Sequence, residues 1–292
     1  MHNHLSSVLS HLSLAALGLL LLFSCGRGLR EEPSSSAADT TRLRVAILPT
    51  LDCLPLVQAT EDSTFKRLGL EVHLVMYRSQ MDAEQALVEG RVEVCASDVF
   101  RVKELCSKGI GVNMLFATNR TWQLCAGKKL RATKVKDVSG RMIAGTRLSA
   151  VDYFADQIEP RLSTQNGPML RPQINDVEIR LRMLLNSQID AAILPLPLSL
   201  LATKKGCTML CETDTMMLGL AGFAVREEAK QDSLRNKQFR LLRQGYDQAA
   251  LSLASLPQLE TSSDVLTLFH LQDATDKIEP AKTFLPSLEP TI

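Results

Sequence analysis

Aromatic side chains are scarce, 4% of 292 residues, and Trp122 is the single tryptophan. Neither sign of charge prevails: 33 Lys and Arg stand against 32 Asp and Glu, a net charge of +1. A nucleic-acid surface needs a basic field, usually interleaved with aromatics, so no nucleic-acid partner is expected. Histidine is nearly missing, and beyond the first eleven residues only His73 and His270 remain. With so few imidazoles, and no second cysteine pair to match Cys207 and Cys211, no metal site is expected. No Walker loop occurs, so phosphate-cradling NTP hydrolysis is not expected either. No uninterrupted apolar run reaches the roughly 20 residues that a membrane-spanning helix requires.

One shorter apolar run does stand out, residues 12–23. Its length suits the core of a secretory signal peptide. It closes on Leu22-Phe23-Ser24-Cys25, which resembles a bacterial lipoprotein box: aliphatic, any, small, cysteine. That resemblance implies a lipoprotein signal peptide over 1–24, lipidation of Cys25, and a chain held to a membrane while facing the periplasm or exterior. Two acyl chains on one cysteine suffice for stable anchoring. Residues 25–41 are polar and rich in Gly, Pro and Ser, and read as a flexible tether.

Six further cysteines remain: Cys53, Cys95, Cys106, Cys125, Cys207 and Cys211. Export permits disulfides, but sequence alone cannot pair six thiols. Cys207 and Cys211 lie in a strand-like segment. Four extended residues rise about 13 Å, beyond the reach of about 7 Å between Cα atoms that a disulfide allows. Small buried hydrophobes are the simpler reading for most of the six.

A pattern recurs 97 positions apart. Val45-Ala46-Ile47-Leu48-Pro49-Thr50 opens the first copy, which reaches Ala86-Leu87-Val88-Glu89-Gly90-Arg91-Val92-Glu93. Met142-Ile143-Ala144-Gly145-Thr146-Arg147 opens the second, which reaches Met183-Leu184-Leu185-Asn186-Ser187-Gln188-Ile189-Asp190. Each copy reads strand, loop, helix, then helix, turn, strand. Strands are expected at 43–48, 72–76, 92–96, 112–117, 142–144, 189–194 and 223–225. Helices are expected at 82–89, 101–108, 151–158 and 233–254, with another over 264–271. Ser149 and Asn175 or Asp176 are the expected caps. Such alternation implies α/β lobes with parallel strands and right-handed crossovers. The polar stretch Thr118-Asn119-Arg120-Thr121 reads as one crossover between lobes, and residues 216–221 as the return. Lobe 1 is then 42–118 plus 220–292, and lobe 2 is 119–219.

Several steps together resemble the periplasmic solute-binding proteins of ABC importers. Val138-Ser139-Gly140-Arg141-Met142-Ile143-Ala144 looks like their "dLkGkrIa" step, and 183–192 like "ml..GqvDAa". Residues 52–59 fit "D..P...A", and 86–93 fit "AL..G.vD". The set is similar to the branch that binds aliphatic sulfonates, nitrate and thiamine precursors, over residues 42–255. The resemblance implies a two-lobed type 2 fold with two crossovers. It implies a monomer that captures a small molecule by hinge closure and passes it to a separate permease and ATPase, with no cofactor and no catalysis. Enzymes on the same fold, of the thiamine-pyrimidine or menaquinone-pathway type, are the alternative, as is a surface or sensory lipoprotein without transport. The export signal argues against the enzymes. So does the position of His73 and His270 away from every candidate loop, which leaves a Ser-His-Asp triad unsupported.

In α/β sheets ligands sit at the carboxyl ends of strands. That rule selects Asp52, Cys53, Ser97, Asp98, Thr146, Arg147, Ser149 and Leu196 as candidate ligand-binding residues. Thr146, Arg147 and Ser149 at a helix start suit an anion, though capping alone accounts for Ser149. Asp52 and Asp98 suit an amine or are caps. Cys53, Leu54, Leu196 and Pro197 are candidate apolar walls or lobe core. Trp122 reads as packing at the hinge.

Overall fold

The computed structural model describes residues 41–162, 166–213, 219–272 and 274–290. The expected signal peptide, Cys25, nearly all of the tether, and Met216 and Met217 of the return crossover lie outside them. No described helix is long and apolar enough to cross a membrane.

Among the described residues nine strands form two sheets. In chain order they are β1 (Arg42–Ile47), β2 (Glu71–Met76), β3 (Val94–Asp98), β4 (Val112–Thr118), β5 (Trp122–Ala126), β6 (Ile143–Ala144), β7 (Ala191–Pro195), β8 (Thr208–Glu212) and β9 (Ala221–Arg226). The first sheet runs β2-β1-β3-β9-β4 and the second β6-β7-β5-β8. The chain passes from the first sheet to the second through residues 119–121 and returns after Thr213 to β9. Two lobes joined by two crossovers follow.

The expected parallel arrangement holds for β1 with β2 and β3 and for β6 with β7. It fails at two strands. β9 pairs antiparallel with β3 and β4, and β5 antiparallel with β7 and β8. Each of the two enters its sheet directly from the other lobe. Without a crossover helix to reverse the chain, nothing imposes the parallel sense. β5 itself was not expected: it begins directly after the polar link 119–121 and carries Gln123 among its five buried residues.

The 97-residue offset is carried into the backbone. Gly90 and Ser187, 97 apart, both adopt left-handed φ, 74° and 58°. The amide of each bonds back three residues, Gly90 to Leu87 O at 3.1 Å and Ser187 to Leu184 O at 3.0 Å. The next amides repeat the match, Arg91 to Ala86 O and Gln188 to Met183 O, both 2.9 Å. Glycine is the residue this conformation favours, and the second copy carries it on a serine.

The helices are α1 (Leu54–Glu61), α2 (Thr64–Arg67), α3 (Gln80–Val88), α4 (Val99–Ser107), α5 (Ala150–Ile158), α6 (Val177–Leu185), α7 (Leu198–Lys204), α8 (Ser233–Ala254), α9 (Ser263–Leu268) and α10 (Pro280–Thr283). α8 spans the limits its pattern indicated. Its buried residues Phe239, Leu242, Tyr246, Ala249 and Leu253 recur at three and four positions and face the lobe 1 core. Phe116, Phe223 and Tyr246 meet there, with Phe116 centred 5.2 Å from each of the other two rings. Gly245 lets α8 close on α2, since a Cβ there would stand 2.4 Å from the Phe65 ring.

Phe223 has no solvent exposure. Phe223→Ala is expected to cost about 3–5 kcal/mol, read as a lower midpoint in urea unfolding with an unchanged slope.

Candidate functional site

The carboxyl ends of β1 and β3 in lobe 1 face the starts of α5 and α7 in lobe 2. The lobes touch along this line. Leu51 N–H donates to Leu196 O at 3.2 Å, and Val177 N–H to Arg78 O at 3.2 Å. Arg78 pairs with Asp176 and Glu178, each at 3.1 Å. Phe100 of α4 stacks on Tyr153 of α5 at 4.9 Å.

A polar network fills the space behind these contacts. Arg120, in the first crossover, donates through Nε to Asp52 Oδ1 and through Nη2 to Asp52 Oδ2, both at 3.0 Å. Thr118 Oγ1 adds a bond to Asp52 Oδ2 at 2.7 Å. The pair is dry, with side-chain exposures of 4% for Arg120 and 1% for Asp52. Trp122 backs it, its ring centre 5.9 Å from the Arg120 Cζ. Arg120 Nη1 also reaches Gln80 Oε1 at 3.5 Å, and Gln80 Nε2 donates to Asp98 Oδ2 at 2.7 Å and Glu84 Oε1 at 3.1 Å. Glu84 closes the network by accepting from Ser97 Oγ at 2.8 Å and Arg101 Nε at 3.0 Å.

Burial and pairing act against each other here. Burial disfavours the Asp52 carboxylate, but the Arg120 charge and bonds from Arg120, Thr118 and Thr50 outweigh it. Its pKa therefore falls below the ordinary 3.8. Burial likewise opposes the Arg120 cation, and Asp52 more than offsets it. For Asp98 burial prevails and its pKa rises, although Gln80 and the amides of Arg101 and Ala150 partly compensate. Glu84 is raised by burial despite Arg101.

The eight candidate residues fall into different surroundings. Asp52 and Leu196 line a cavity of about 320 Å³ beside the crossovers, with Arg120, Gln123 and Thr213 on its walls. Its rim carries Lys277, Glu279 and Lys282 from the C-terminal segment. Asp98 caps α4, accepting from the amides of Phe100 and Arg101 at 3.0 Å, and Ser97 lies wholly buried against Glu84. Ser149 caps α5, accepting from Val151 N at 3.1 Å, and borders a separate groove of about 380 Å³ beside Phe100 and Tyr153. Thr146 accepts from the buried Arg180 at 2.8 Å. Arg147 turns outward, 47% exposed, to pair with Asp152 at 3.3 Å. Cys53 and Leu54 have no exposure and pack in the lobe 1 core, the second of the two readings given for them. Burial and the neighbouring Asp52 charge push the Cys53 thiol up to about 12. Cys53, Cys95, Cys106, Cys125, Cys207 and Cys211 are all free thiols, and β8 is extended through Cys211.

Arg120, Gln80 and Glu84 were not singled out from the sequence. Arg120 carried one signal, a charge in a short link between two apolar strands. Its partner Asp52 lies 68 positions away. Among the described residues no cluster of three His, Cys, Asp or Glu could hold a metal ion.

Solved structures share this architecture. One is the alkanesulfonate-binding protein SsuA of Xanthomonas axonopodis pv. citri bound to MOPS, 14% identical over 85% of each chain with a TM-score of 0.67. Another is the ligand-binding component of an ABC-type import system of Staphylococcus aureus with zinc bound, 14% identical over 86% of this chain and 87% of that one, TM-score 0.68. A third is the periplasmic nitrate-binding protein NrtA of Synechocystis PCC 6803, 11% identical over 84% and 69%, TM-score 0.64. The likeness establishes the fold alone: two α/β lobes joined by two crossovers, the type 2 fold that these binding proteins share. These neighbours are binding proteins rather than enzymes. No protein-family model and no curated protein sequence matches the chain.

Removing one partner of a buried ion pair strands the other, so Arg120→Met is expected to cost about 3–5 kcal/mol in urea unfolding at pH 7. The depressed Asp52 pKa means its stabilisation is complete above 3.8 and is lost as pH falls through the lower folded value. The stability gap between wild type and Asp52→Asn should therefore shrink below pH 3.8. A gap constant with pH would contradict this. The comparison also isolates Asp52 from Asp98 and Glu84, whose raised values act with the opposite sign.

Proposed function

We propose that this protein is an extracytoplasmic solute-binding protein of an ABC importer. It captures a small molecule between its lobes and presents it to a separate permease and ATPase. The observation that carries this reading is the cavity of about 320 Å³ walled by both lobes and by the crossover residues Arg120 and Thr213. A solute held there touches the segments that must bend for the lobes to part, so binding and closure are coupled. The volume lies at the small end of ligand pockets, which run from about 300 to 1,000 Å³. Asp52 and Leu196 are the candidate residues proposed to meet the solute. Ser97, Asp98, Thr146 and Ser149 are proposed to hold the surrounding loops, and Arg147 to remain at the surface.

The lobes are proposed to divide at 42–118 plus 220–292 and 119–219. A signal peptide over 1–24, an acylated Cys25 and a tether over 25–41 would keep a monomer at the membrane, facing the periplasm or exterior. A second reading, a surface or sensory lipoprotein without transport, is favoured by one feature: direct contacts already join the facing lobes, among them Arg78 with Asp176 and Glu178 and Phe100 with Tyr153.

Calorimetry of the mature protein against a panel of small metabolites tests the reading. One solute binding one-to-one without turnover is expected, and heat from none of the panel together with unchanged uptake in a deletion strain would favour the second reading. Cys25→Ser is expected to move the protein from the membrane to the soluble fraction and abolish palmitate labelling. Labelling that persists would remove the anchor from the account.

A further inference from the structure

The sulfonate and nitrate binders that share this fold invite the expectation of an anion, and the cavity's own charges argue otherwise. Among the described residues Arg120 is the only buried cation on its wall. Its Nε and Nη2 form the two-pronged fork that a carboxylate or sulfonate would grip. Asp52 already fills that fork with two bonds of 3.0 Å. We propose that Asp52 is a built-in counter-ion for Arg120, so that the cavity selects a polar solute of no net charge and rejects simple anions. This rests on the solute-binding reading above and names the solute class for the same site.

Three further observations agree. The pair is nearly inaccessible, with exposures of 4% and 1%, so a second anion beside it would be a buried charge without a partner. The start of α5, the other place in the cleft suited to an anion, is engaged by Asp98, which interacts with the Ala150 amide while capping α4. Arg147, the cation expected to serve that start, pairs outward with Asp152. Among the described residues that line the cavity, the acids Asp52, Glu212 and Glu279 are matched in number by Arg120, Lys277 and Lys282. Arg120 can still serve an uncharged acceptor. A guanidinium carries five N–H donors, and among the described residues two are spent on Asp52 while a third reaches Gln80 at 3.5 Å.

The test uses nitrate and ethanesulfonate as probes on the mature protein, by calorimetry at low ionic strength. Wild type is expected to show no binding at millimolar concentrations. Asp52→Asn frees the fork with little change in shape, and should bind ethanesulfonate at least tenfold more tightly than wild type. Asp52→Asn combined with Arg120→Met should lose that gain. Should Asp52→Asn be too unstable for calorimetry, its melting temperature is followed in acetate or ethanesulfonate against chloride of matched ionic strength. Either anion should raise the variant's midpoint and leave wild type unmoved. Wild type binding either probe as tightly as Asp52→Asn, or an equal melting shift in both, would overturn the proposal while leaving solute capture intact. A null result with every uncharged solute would instead count against solute capture, and the anion gain of the variant would remain.

Discussion

The ion pair between Asp52 and Arg120 joins the parts of this molecule that matter for its cleft. Asp52 sits on the turn after β1, and Arg120 on the link between the lobes. The bond therefore fixes the turn after β1 to the link between the lobes. Trp122 and Thr118, on either side of Arg120 in sequence, hold the pair from two directions. Buried pairs seldom add much stability over an apolar substitute, because desolvation consumes the attraction. Their value lies in what they forbid. Here the forbidden states are a displaced crossover and an empty guanidinium fork.

From that pair the network extends through Gln80 to Asp98 and Glu84, and through Asp98 to the start of α5. Asp98 and Glu84 are buried, so the bonds from Gln80, Ser97 and Arg101 supply partners their carboxylates would otherwise lack. Two helix starts that could have faced a ligand are instead completed by one carboxylate of the chain. The open volume is displaced toward the crossovers, where Leu196, Thr213 and the C-terminal segment enclose it. Asn119 ties that segment down by donating to Lys282 O at 3.0 Å.

Much of the architecture was legible because it rests on local periodicity. The 97-residue repeat, the limits of α8 and the caps Ser149 and Asp176 are each written in a few consecutive side chains. Strand direction was less so. β5 and β9 run against expectation because their sense depends on arrival from the other lobe, which no window of sequence records. At the site the same division holds. Asp52 and Asp98 were found from their position at strand ends, whereas their roles were set by distant partners. Arg147 lies in the loop between β6 and α5, where Asp152, five positions on, draws it to the surface. Arg120 pairs across 68 positions and could be found only once the lobes were assembled.

The central claim is that Asp52 and Arg120 act as one neutral unit. A double-mutant cycle over Asp52→Asn and Arg120→Met, measured by urea unfolding at pH 7, tests it most directly. The account requires the double variant to be more stable than the sum of the single losses implies, with a coupling of about 1–3 kcal/mol. Strictly additive losses would show that the two residues act independently, and would contradict the account.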